Sequence, residues 1–501
     1  MKRFLCLGAA LVLSVVWVGC GDVFRPIIIP NPPQFPNPAA AHTVVTINDN
    51  GTINPGSVMV VDVGGDSDSG NRNIGLNPIH AVLQTAIQML IVNQSNDTKP
   101  NDSVSKISFS GTTPSGPPIP TITLPPSYDG SGNLVSAAPN FVATTESSQA
   151  YVLMPLYQPP NQNNIGGTIV PSVAVINASS DAVVTTLPVG TNPIAAAETP
   201  DGTKLYVANA GNGTTGSWSL SAFNTKDRST RTITAAPNAQ CNQPPCAAPV
   251  WISARSDSQQ AYVLESDGTL GYLDTALTTG DTFTETSIQV PPAPVPPDVL
   301  LSSAIMWYDV VLNRLYIPGG DQIAIIDVSG SAPQQAPNSP ITNLPVVQPS
   351  ARLRSDPCSK TSAASAVTTV AVTSLPDGSR AYVGAYYSDG AGNICPQVTV
   401  ITTSNNTIET SLAIPGYPDA TISSSPYYVP VCANTRFRIT MAVGGDSSRA
   451  YLASCDGGSV NIIYTSTDSY VESMTGPNSA RNPIQGTTPP PQNPVFMIAG
   501  P

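Results

Sequence analysis

Histidine and charged residues are scarce in this chain. Only 2 of its 501 residues are histidines, and lysine, arginine, aspartate and glutamate together make up 10% of it. Two histidines leave little for histidine-based acid–base catalysis or for a histidine-rich metal site. The 20 basic residues are outnumbered by 32 acidic ones, so the chain lacks a positive surface that would neutralise phosphates. We therefore expect no nucleic-acid partner.

The usual catalytic motifs are missing as well. The sequence contains no phosphate-binding loop, no G-x-S-x-G nucleophile signature and no recognisable Ser-His-Asp arrangement. Its cysteines do not form the paired C-x-x-C motifs that hold zinc. We predict no catalytic residue, no metal and no cofactor. The sequence alone leaves open whether the protein is an enzyme, although these missing motifs weigh against it.

Turn-forming residues and a short repeat are abundant instead. The 52 prolines and 38 glycines suit many short strands joined by turns, and 41% hydrophobic residues suffice for a packed core. One strand ending occurs six times at intervals of 54 to 69 residues, and its tyrosines are Tyr151, Tyr206, Tyr262, Tyr316, Tyr382 and Tyr451. That interval is too long for a two-helix repeat but fits four short strands with loops. The repeat predicts a β-propeller.

The clearest repeat unit begins at Pro193 and contains four strands, which we label A to D in chain order. The turn Asp201-Gly202 joins strands A and B, and this residue pair favours a tight hairpin. The other units begin at Asn140 and Thr368 and, as weaker copies, near Pro78, Val250, Val299 and Arg436. This gives seven continuous blades.

An eighth blade is predicted from the two ends of the chain. Residues 494–499 resemble a strand A with no strand B after it, whereas the N-terminal segments HTVVTIND and SVMVVDVG have no strand A before them. Pairing the two ends would close the ring and remove exposed strand edges. We predict an all-β fold with one propeller of eight four-stranded antiparallel blades. A seven-bladed ring, with the N-terminal strands as an addition, is the alternative.

One segment points to a known family. The phrase TLPVGTNP at residues 186–193 is preceded by VAVINASSDAVV and followed by TPDGTKLYVAN, and it resembles the YVTN family of β-propeller repeats. The match is close over residues 173–209 and recognisable over residues 371–414. The resemblance implies a propeller of the kind found on exported or surface proteins. It carries no catalytic motif.

The N-terminus predicts export. Lys2 and Arg3 precede an apolar run at residues 4–19, which is typical of a signal peptide and too short for a comfortable membrane span. The run ends in Trp-Val-Gly before Cys20 and resembles the bacterial lipoprotein box, although Trp17 stands where an aliphatic residue is usual. The resemblance implies lipidation of Cys20.

These features divide the chain into three parts. We predict a signal peptide at residues 1–19, a lipid-anchor cysteine with a proline-rich spacer at residues 20–41, and the propeller at residues 42–501. We expect a lipoprotein of the outer membrane or cell surface that contacts the membrane only through its anchor. The alternative is cleavage near Gly19 and Gly21, which leaves a periplasmic or secreted protein.

Export also places the remaining cysteines in an oxidising compartment. The repeat register puts Cys358 in the D–A loop and Cys395 in the B–C loop of one blade, and it puts Cys432 and Cys455 at the equivalent places in the next blade. We predict the disulfides Cys358–Cys395 and Cys432–Cys455. Cys241 and Cys246 are predicted to form a local third bond. The alternative is that some of these cysteines are free and buried.

The long loops are predicted to share one face of the ring. In this strand order the B–C and D–A loops lie on one face, and the A–B and C–D turns lie on the other. The long segments are residues 155–170, 385–396, 237–249, 345–363 and 415–436. All belong to the B–C or D–A class, and repeat proteins often bind through such insertions. We call this side of the ring the long-loop face.

Aromatic residues in these loops are the candidate contacts. Tyrosine is enriched at binding surfaces, and the candidates are Tyr157, Tyr386, Tyr387, Tyr427 and Tyr428. Each tyrosine has the alternative role of anchoring its own loop. Trp218, Phe223 and Trp251 lie in predicted strands, where we expect packing between blades.

Two isolated features remain. His80 opens an inner strand and is expected to be a packed or hydrogen-bonded side chain, with an orientation toward the central channel as the alternative. Asp62, Asp66 and Asp68 lie close together among glycines, which suits calcium. The rest of an EF-hand loop is missing, so we expect a flexible acidic loop.

The function that the sequence favours is a monomeric, non-enzymatic binding or scaffold module. We expect it to recognise a protein or a glycan through the long-loop face. The alternative is an exported lactonase-like or hydrolase-like propeller with carboxylates in its central channel. The A strands favour binding because most of their residues are apolar or small, as in PIAAAE, TTVAVT and RITMAV.

Overall fold

A computed structural model of the protein describes residues 43–51, 53–85, 87–95, 100–110, 113–115, 121–145, 148–160, 167–212, 217–233, 247–275, 281–290, 305–360, 366–470 and 493–500. Within these residues the fold is all-β. The only helical elements in these ranges are α1 (Pro430–Asn434) and two 3-10 turns at Pro349–Ala351 and Pro357–Ser359.

The strands form eight antiparallel sheets that radiate from a common centre, and a separate two-stranded sheet. In chain order they are β1 (Thr43–Asp49), β2 (Ser57–Asp62), β3 (Ser67–Asn73), β4 (Pro78–Thr85), β5 (Gln88–Asn93), β6 (Ser103–Ser110), β7 (Thr113–Ser115), β8 (Thr121–Thr123), β9 (Ser127–Tyr128), β10 (Leu134–Val135), β11 (Phe141–Ala143), β12 (Gln149–Met154), β13 (Ser172–Asn177), β14 (Ala182–Pro188), β15 (Pro193–Glu198), β16 (Lys204–Asn209), β17 (Ser219–Asn224), β18 (Thr230–Ile233), β19 (Pro249–Ala254), β20 (Gln260–Glu265), β21 (Thr269–Asp274), β22 (Thr282–Gln289), β23 (Trp307–Asp309), β24 (Arg314–Gly319), β25 (Gln322–Asp327), β26 (Gln334–Gln335), β27 (Thr368–Ser374), β28 (Arg380–Ser388), β29 (Asn393–Thr402), β30 (Thr407–Ala413), β31 (Tyr417–Pro418), β32 (Ile439–Val443), β33 (Arg449–Ser454), β34 (Ser459–Tyr464), β35 (Ser469–Tyr470) and β36 (Asn493–Ala499).

Seven blades are continuous in sequence. Their A strands are β4, β11, β15, β19, β23, β27 and β32, and the three strands that follow each one complete its blade. Two blades have a fifth strand, because β8 pairs with β6 and β31 pairs with β29. The separate two-stranded sheet consists of β9 and β10. The A strands line the central channel. The predicted strand order is therefore confirmed.

The eighth blade is composite and closes the ring. Its strand order is β3-β2-β1-β36, so the C-terminal strand is its innermost member. Val44 pairs with Ala499, and Ile47 pairs with Phe496. This closure leaves no unpaired inner edge at the junction of the two chain ends. Eight blades are thus confirmed, and the seven-bladed alternative is wrong.

The repeated tyrosines explain part of the sequence period. All six lie in B strands and are buried between blades. The hydroxyl of Tyr206 donates to Asp281 at 2.6 Å, and that of Tyr382 donates to Asp468 at 2.6 Å. Each of these aspartates lies at the C–D turn of the following blade. The tyrosine thus fills the space between two blades and, at these positions, bonds to the next one.

Candidate functional site

A β-bulge near the start of strand A occurs in several blades. The pairing register shifts between Pro193 and Ala195 in β15, and between Pro249 and Trp251 in β19. A bulged residue is left out of the strand ladder, so its peptide groups are available to other partners. The carbonyls of the bulged Ile194 and Val250 consequently accept hydrogen bonds from a side chain at the centre of the ring.

A cavity of about 1220 Å³ opens at the centre of the long-loop face. We call it the funnel. Its walls are the first residues of several A strands, the ends of β1 and β33, and the loop that precedes β32. Tyr427 and Tyr428 stand in that loop and are 61% and 39% exposed. Small-molecule sites usually measure about 300 to 1,000 Å³, so the funnel has room for a larger ligand.

Covalent and ionic bonds hold the loop that carries these two tyrosines. Helix α1 follows Tyr428, and its Cys432 is joined to Cys455 at the end of β33. Arg438 pairs with Asp419 at 2.8 Å and with Asp456 at 2.5 Å. The funnel wall on this side is therefore fixed to its own blade at both ends.

The preceding D–A loop is fixed in the same way. Cys358 is joined to Cys395, and Arg352 forms a buried ion pair with Asp356 at 3.1 Å. The Arg352 guanidinium also donates to the carbonyl of Ile414 at 2.8 Å. These two disulfides are the pairs that the repeat register predicts. Cys241, Cys246 and the lipidation candidate Cys20 lie outside the described residues.

Arg436 forms the floor of the funnel. Its guanidinium donates to the Ile194 carbonyl at 2.7 Å and to the Val250 carbonyl at 3.4 Å. It also lies over the rings of Trp251, at 5.3 Å, and Phe437, at 5.2 Å. Removal from water lowers the pKa of Arg436 to about 10, so it stays protonated at neutral pH. Two neutral carbonyls and two aromatic faces thus surround a cation.

Five aromatic rings from five different blades meet just below Arg436, four of them in A strands and Phe437 two residues before β32. The contacts run from His80 to Phe141 at 4.0 Å, then to Trp251 at 5.9 Å, Phe437 at 6.3 Å, Phe496 at 5.5 Å and back to His80 at 4.7 Å. We call this closed circle the aromatic collar. It lies between the funnel and the channel below: its members line the channel, and neighbouring residues line the funnel.

His80 is a packed member of this collar, as the sequence predicts, and it also faces the central channel, which was the alternative. Its Nδ1 accepts a hydrogen bond from the Val142 amide at 3.4 Å. Burial, aided by the positive charge of Arg436, lowers the pKa of His80 to about 3. The imidazole is therefore neutral at physiological pH and does not titrate there.

The channel below the collar is mostly apolar. It encloses about 330 Å³ and is lined by A strands of all eight blades. Two carboxylates reach it, and backbone amides bind both of them. Glu198 accepts from the Thr145 amide at 2.6 Å, and Asp309 accepts from the amides of Val311 and Leu312 at 2.9 and 3.0 Å. These carboxylates serve as structural acceptors.

Three of the five tyrosine candidates are buried. Tyr157, Tyr386 and Tyr387 lie in apolar clusters of their blades. Residues 385–396 do not form the long loop that the sequence predicts, because β28 and β29 continue as a hairpin in which Tyr387 faces Cys395. These three tyrosines anchor the blades and are not exposed to a ligand. Only Tyr427 and Tyr428 are presented at the mouth of the funnel.

The predicted inter-blade aromatic residues have two roles. Trp218 packs edge-on against Phe283 of the following blade at 6.5 Å, and Phe223 is buried in the same cluster of blades. Trp251 packs between blades and also belongs to the aromatic collar. The collar itself was not predicted, because its members stand at different positions in their strands.

The acidic segment at residues 62–70 forms the hairpin between β2 and β3. Asp66 is buried and pairs with Arg449 of the neighbouring blade at 3.0 Å. Asp62 accepts from the Gly64 amide at 3.0 Å, and Asp68 accepts from the Gly70 amide at 3.0 Å. These carboxylates therefore have partners within the protein. A second cluster, Cys358, Asp389 and Cys395, has metal-ligand spacing, but the disulfide engages both of its sulfurs.

Comparisons with known proteins identify no family. No protein-family model matches the chain, and the curated proteins give no match, so the YVTN resemblance stays a prediction. Among solved structures, the chain is similar to apo AztD from Citrobacter koseri, with 10% sequence identity, a TM-score of 0.49, and coverage of 92% of this chain and 98% of that one. It is also similar to the β-propeller domain of Cps50 (Swd1) from Myceliophteria thermophila, with 7% identity, a TM-score of 0.43, and coverage of 77% and 97%. A third similar structure is hydrazine synthase of Kuenenia stuttgartiensis, with 16% identity, a TM-score of 0.35, and coverage of 64% and 74%. Similarities at this level give no grounds for transferring a function.

The part of the chain that the structure describes contains no helix with the length and apolar character of a membrane span.

Proposed function

We propose that this propeller is an exported, non-enzymatic binding module that recognises a protein or glycan ligand at its long-loop face. The observation that carries the proposal is the funnel, a large open cavity whose rim presents Tyr427 and Tyr428 to solvent. Tyrosine offers a large amphipathic contact area at low entropic cost. The disulfide and ion pairs of the surrounding loops keep this surface ordered before a ligand arrives, which reduces the entropic cost of binding.

Export and anchoring belong to the same proposal. The signal-peptide pattern and the Cys20 motif support a lipoprotein of the outer membrane or cell surface, and a periplasmic or secreted form is the alternative. The disulfides Cys358–Cys395 and Cys432–Cys455 are consistent with an oxidising compartment. We propose a monomer, since the ring closes on its own termini and leaves no inner strand edge to pair with a second chain.

The channel gives little support to the enzyme alternative. A hydrolase would need polar groups that converge on a substrate. The channel carboxylates Glu198 and Asp309 are bound by amides of the protein, and most of the surrounding A-strand residues are apolar. The aromatic collar also lies between this channel and the open funnel.

Capture from envelope extract tests the proposal. Purified wild-type protein should retain a ligand that the double variant Tyr427→Ser, Tyr428→Ser loses. Ile87→Ser is the matched control, because Ile87 is also an exposed apolar residue, 58% accessible, but stands in an A–B turn on the opposite face. Treating the captured material with protease or with glycosidases distinguishes a protein from a glycan. Equal capture by the wild type and the tyrosine variant would refute the assignment of this face.

A further inference from the structure

Arg436 carries a positive charge that the described protein does not neutralise. The ion pairs formed among the described residues include Arg438, two positions further on, but not Arg436. Its known partners are two backbone carbonyls and two aromatic faces. Arg436 is half-buried at the wall of the funnel, so its guanidinium has lost part of its hydration without gaining an anion, and a ligand that supplies one would offset this cost.

We propose that the funnel binds a saccharide that ends in a single carboxylate group, with this carboxylate seated on the guanidinium of Arg436. The inference rests on the proposed binding function and names the ligand class. A guanidinium has five N–H donors, and two hydrogen bonds from this side chain are made within the protein. The remaining donors can bind a carboxylate in the charge-assisted manner in which arginine commonly binds this group.

The position of Arg436 is fixed before the ligand binds. The two carbonyls that hold the guanidinium belong to bulged residues of neighbouring blades, Ile194 and Val250. The rings of Trp251 and Phe437 limit its movement toward the channel. A pre-positioned donor loses little conformational entropy on binding, which favours affinity.

The charge around the funnel favours one carboxylate over a polyanion. The chain has a net charge of −12, and the funnel wall also contains Asp49 and Asp456. Asp456 is paired with Arg438, and burial raises the pKa of Asp49 to about 6. Above that pH the ionised Asp49 carboxylate would repel a densely charged anion, while Arg436 offers only one positive charge to attract it. A single terminal carboxylate fits this balance.

The rest of the wall favours a sugar over an acidic peptide. Asn77, Asn140 and Asn434 line the funnel. Each uses one amide hydrogen for a protein oxygen and keeps a second that can donate to a hydroxyl group. The exposed faces of Tyr427 and Tyr428 provide flat surfaces at the mouth, where the negative face of a ring attracts the positive edge of a C–H-rich partner. A pyranose combines hydroxyl groups with such C–H faces.

The test uses matched pairs of small saccharides and the purified full-length protein. Disaccharides that end in glucuronic, galacturonic or neuraminic acid are compared with neutral disaccharides of the same size by calorimetry. At least one acidic member should bind about 10-fold or more tightly than its neutral counterpart, the size expected for one charge-assisted contact. Arg436→Gln should abolish that preference, and Arg436→Lys should restore part of it.

Two controls separate binding from folding. Arg354→Gln removes an exposed arginine from another loop of the long-loop face and should leave the preference unchanged. Because the Arg436 guanidinium lies 5.3 Å from the Trp251 ring, the acidic disaccharide should also shift tryptophan fluorescence in the wild type. If Arg436→Gln fails to fold, Arg436→Lys is compared with Arg354→Gln. A weakened preference for the acidic sugar in Arg436→Lys alone supports the inference, and an undiminished preference in Arg436→Lys overturns it.

The outcomes distinguish this inference from the proposed function. Equal binding of acidic and neutral sugars, no sugar binding at all, or a preference for an acidic peptide or a heparin fragment would each overturn the inference. The proposed function would survive these results if the tyrosine variant still lost its ligand in the capture experiment. If the tyrosine variant captured as well as the wild type, the proposed function would fail, whatever the sugars did.

Discussion

The junction between the last continuous blade and the composite blade depends on one buried carboxylate. Asp66 lies at the C–D turn of the composite blade and accepts from Arg449 at 3.0 Å, Tyr451 at 3.3 Å and Tyr464 at 3.1 Å. Its side chain is almost fully buried, and that of Arg449 is mostly buried. Replacing Asp66 by alanine would remove an acceptor that a charged guanidinium and two hydroxyl groups share.

The expected cost follows from these contacts. Breaking a buried ion pair by removing one partner costs about 3 to 5 kcal/mol, because the other charge remains desolvated. Tyr451→Phe removes a single long hydrogen bond to a charged acceptor and should cost about 1 to 1.5 kcal/mol. Asp66→Asn retains an acceptor but removes the charge, so its cost should lie between these values.

Chemical denaturation with the disulfides intact measures these free energies of unfolding. Combining Asp66→Ala with Tyr451→Phe should cost clearly less than the sum of the two single changes, because both remove the same contact. The matched control is Asp62→Asn in the same hairpin, where a partly exposed carboxylate accepts from the nearby Gly64 amide. Its cost should stay within about 0.5 kcal/mol. A cost for Asp66→Ala below about 1 kcal/mol, or full additivity, would refute the view that this carboxylate fastens the ring.

Three further predictions follow. Deleting residues 494–501 removes the buried Val495 and Met497 from the inner strand of the composite blade. The deletion should lower the free energy of unfolding by about 3 to 6 kcal/mol and promote aggregation through the exposed strand edge. An unchanged melting temperature and solubility would contradict ring closure. Burial, aided by the charges of Glu285 and Asp267, raises the pKa of Glu265 to about 8. The folded state therefore keeps a proton that the unfolded chain releases near pH 4.5. The contribution of this group to the free energy of unfolding consequently falls as the pH rises from about 4.5 to about 8. Glu265→Gln should therefore raise the free energy of unfolding at pH 8 by on the order of 3 kcal/mol and change little at pH 4.5; equal effects at both pH values would contradict the assignment. Cys20→Ser should abolish incorporation of a labelled fatty acid, and label retained by the variant would exclude Cys20 as the anchor.

The architecture could be predicted from the sequence because its determinants are local and repeated. The six B-strand tyrosines mark the period, and the short turns such as Asp201-Gly202 mark the strand ends. Gly202 adopts a left-handed φ of 66°, a conformation that glycine reaches without strain. The composite blade was also predictable. The C-terminal end of the chain offers a strand A with no strand B after it, and the N-terminal end offers strands with no strand A before them.

The loops were predicted less well, since loop length does not show where a side chain points. Residues 385–396 looked like a long insertion, but they extend a hairpin whose alternation buries Tyr386 and Tyr387. Tyr427 and Tyr428 are also adjacent tyrosines, but they lie in a segment without strand pairing and remain exposed. Only the strand pairing separates the two cases, and loop length and residue type do not reveal it.

The floor of the funnel was not predicted for a related reason. The sequence marks Arg436 only as the start of a weak repeat copy. The residues of the aromatic collar are also far apart in the chain: His80 and Phe496 are in contact although about 416 positions separate them. A circular array brings the same end of every A strand to one axis, so side chains that are unrelated in sequence meet there. The B and C strands, in contrast, pack against neighbouring blades and must repeat. The axis is consequently the place where one blade can differ from the next without disturbing the fold, and a cation above five aromatic rings is such a difference. A repeat reveals the scaffold through what its copies share, whereas the site must be sought among the positions that they do not share.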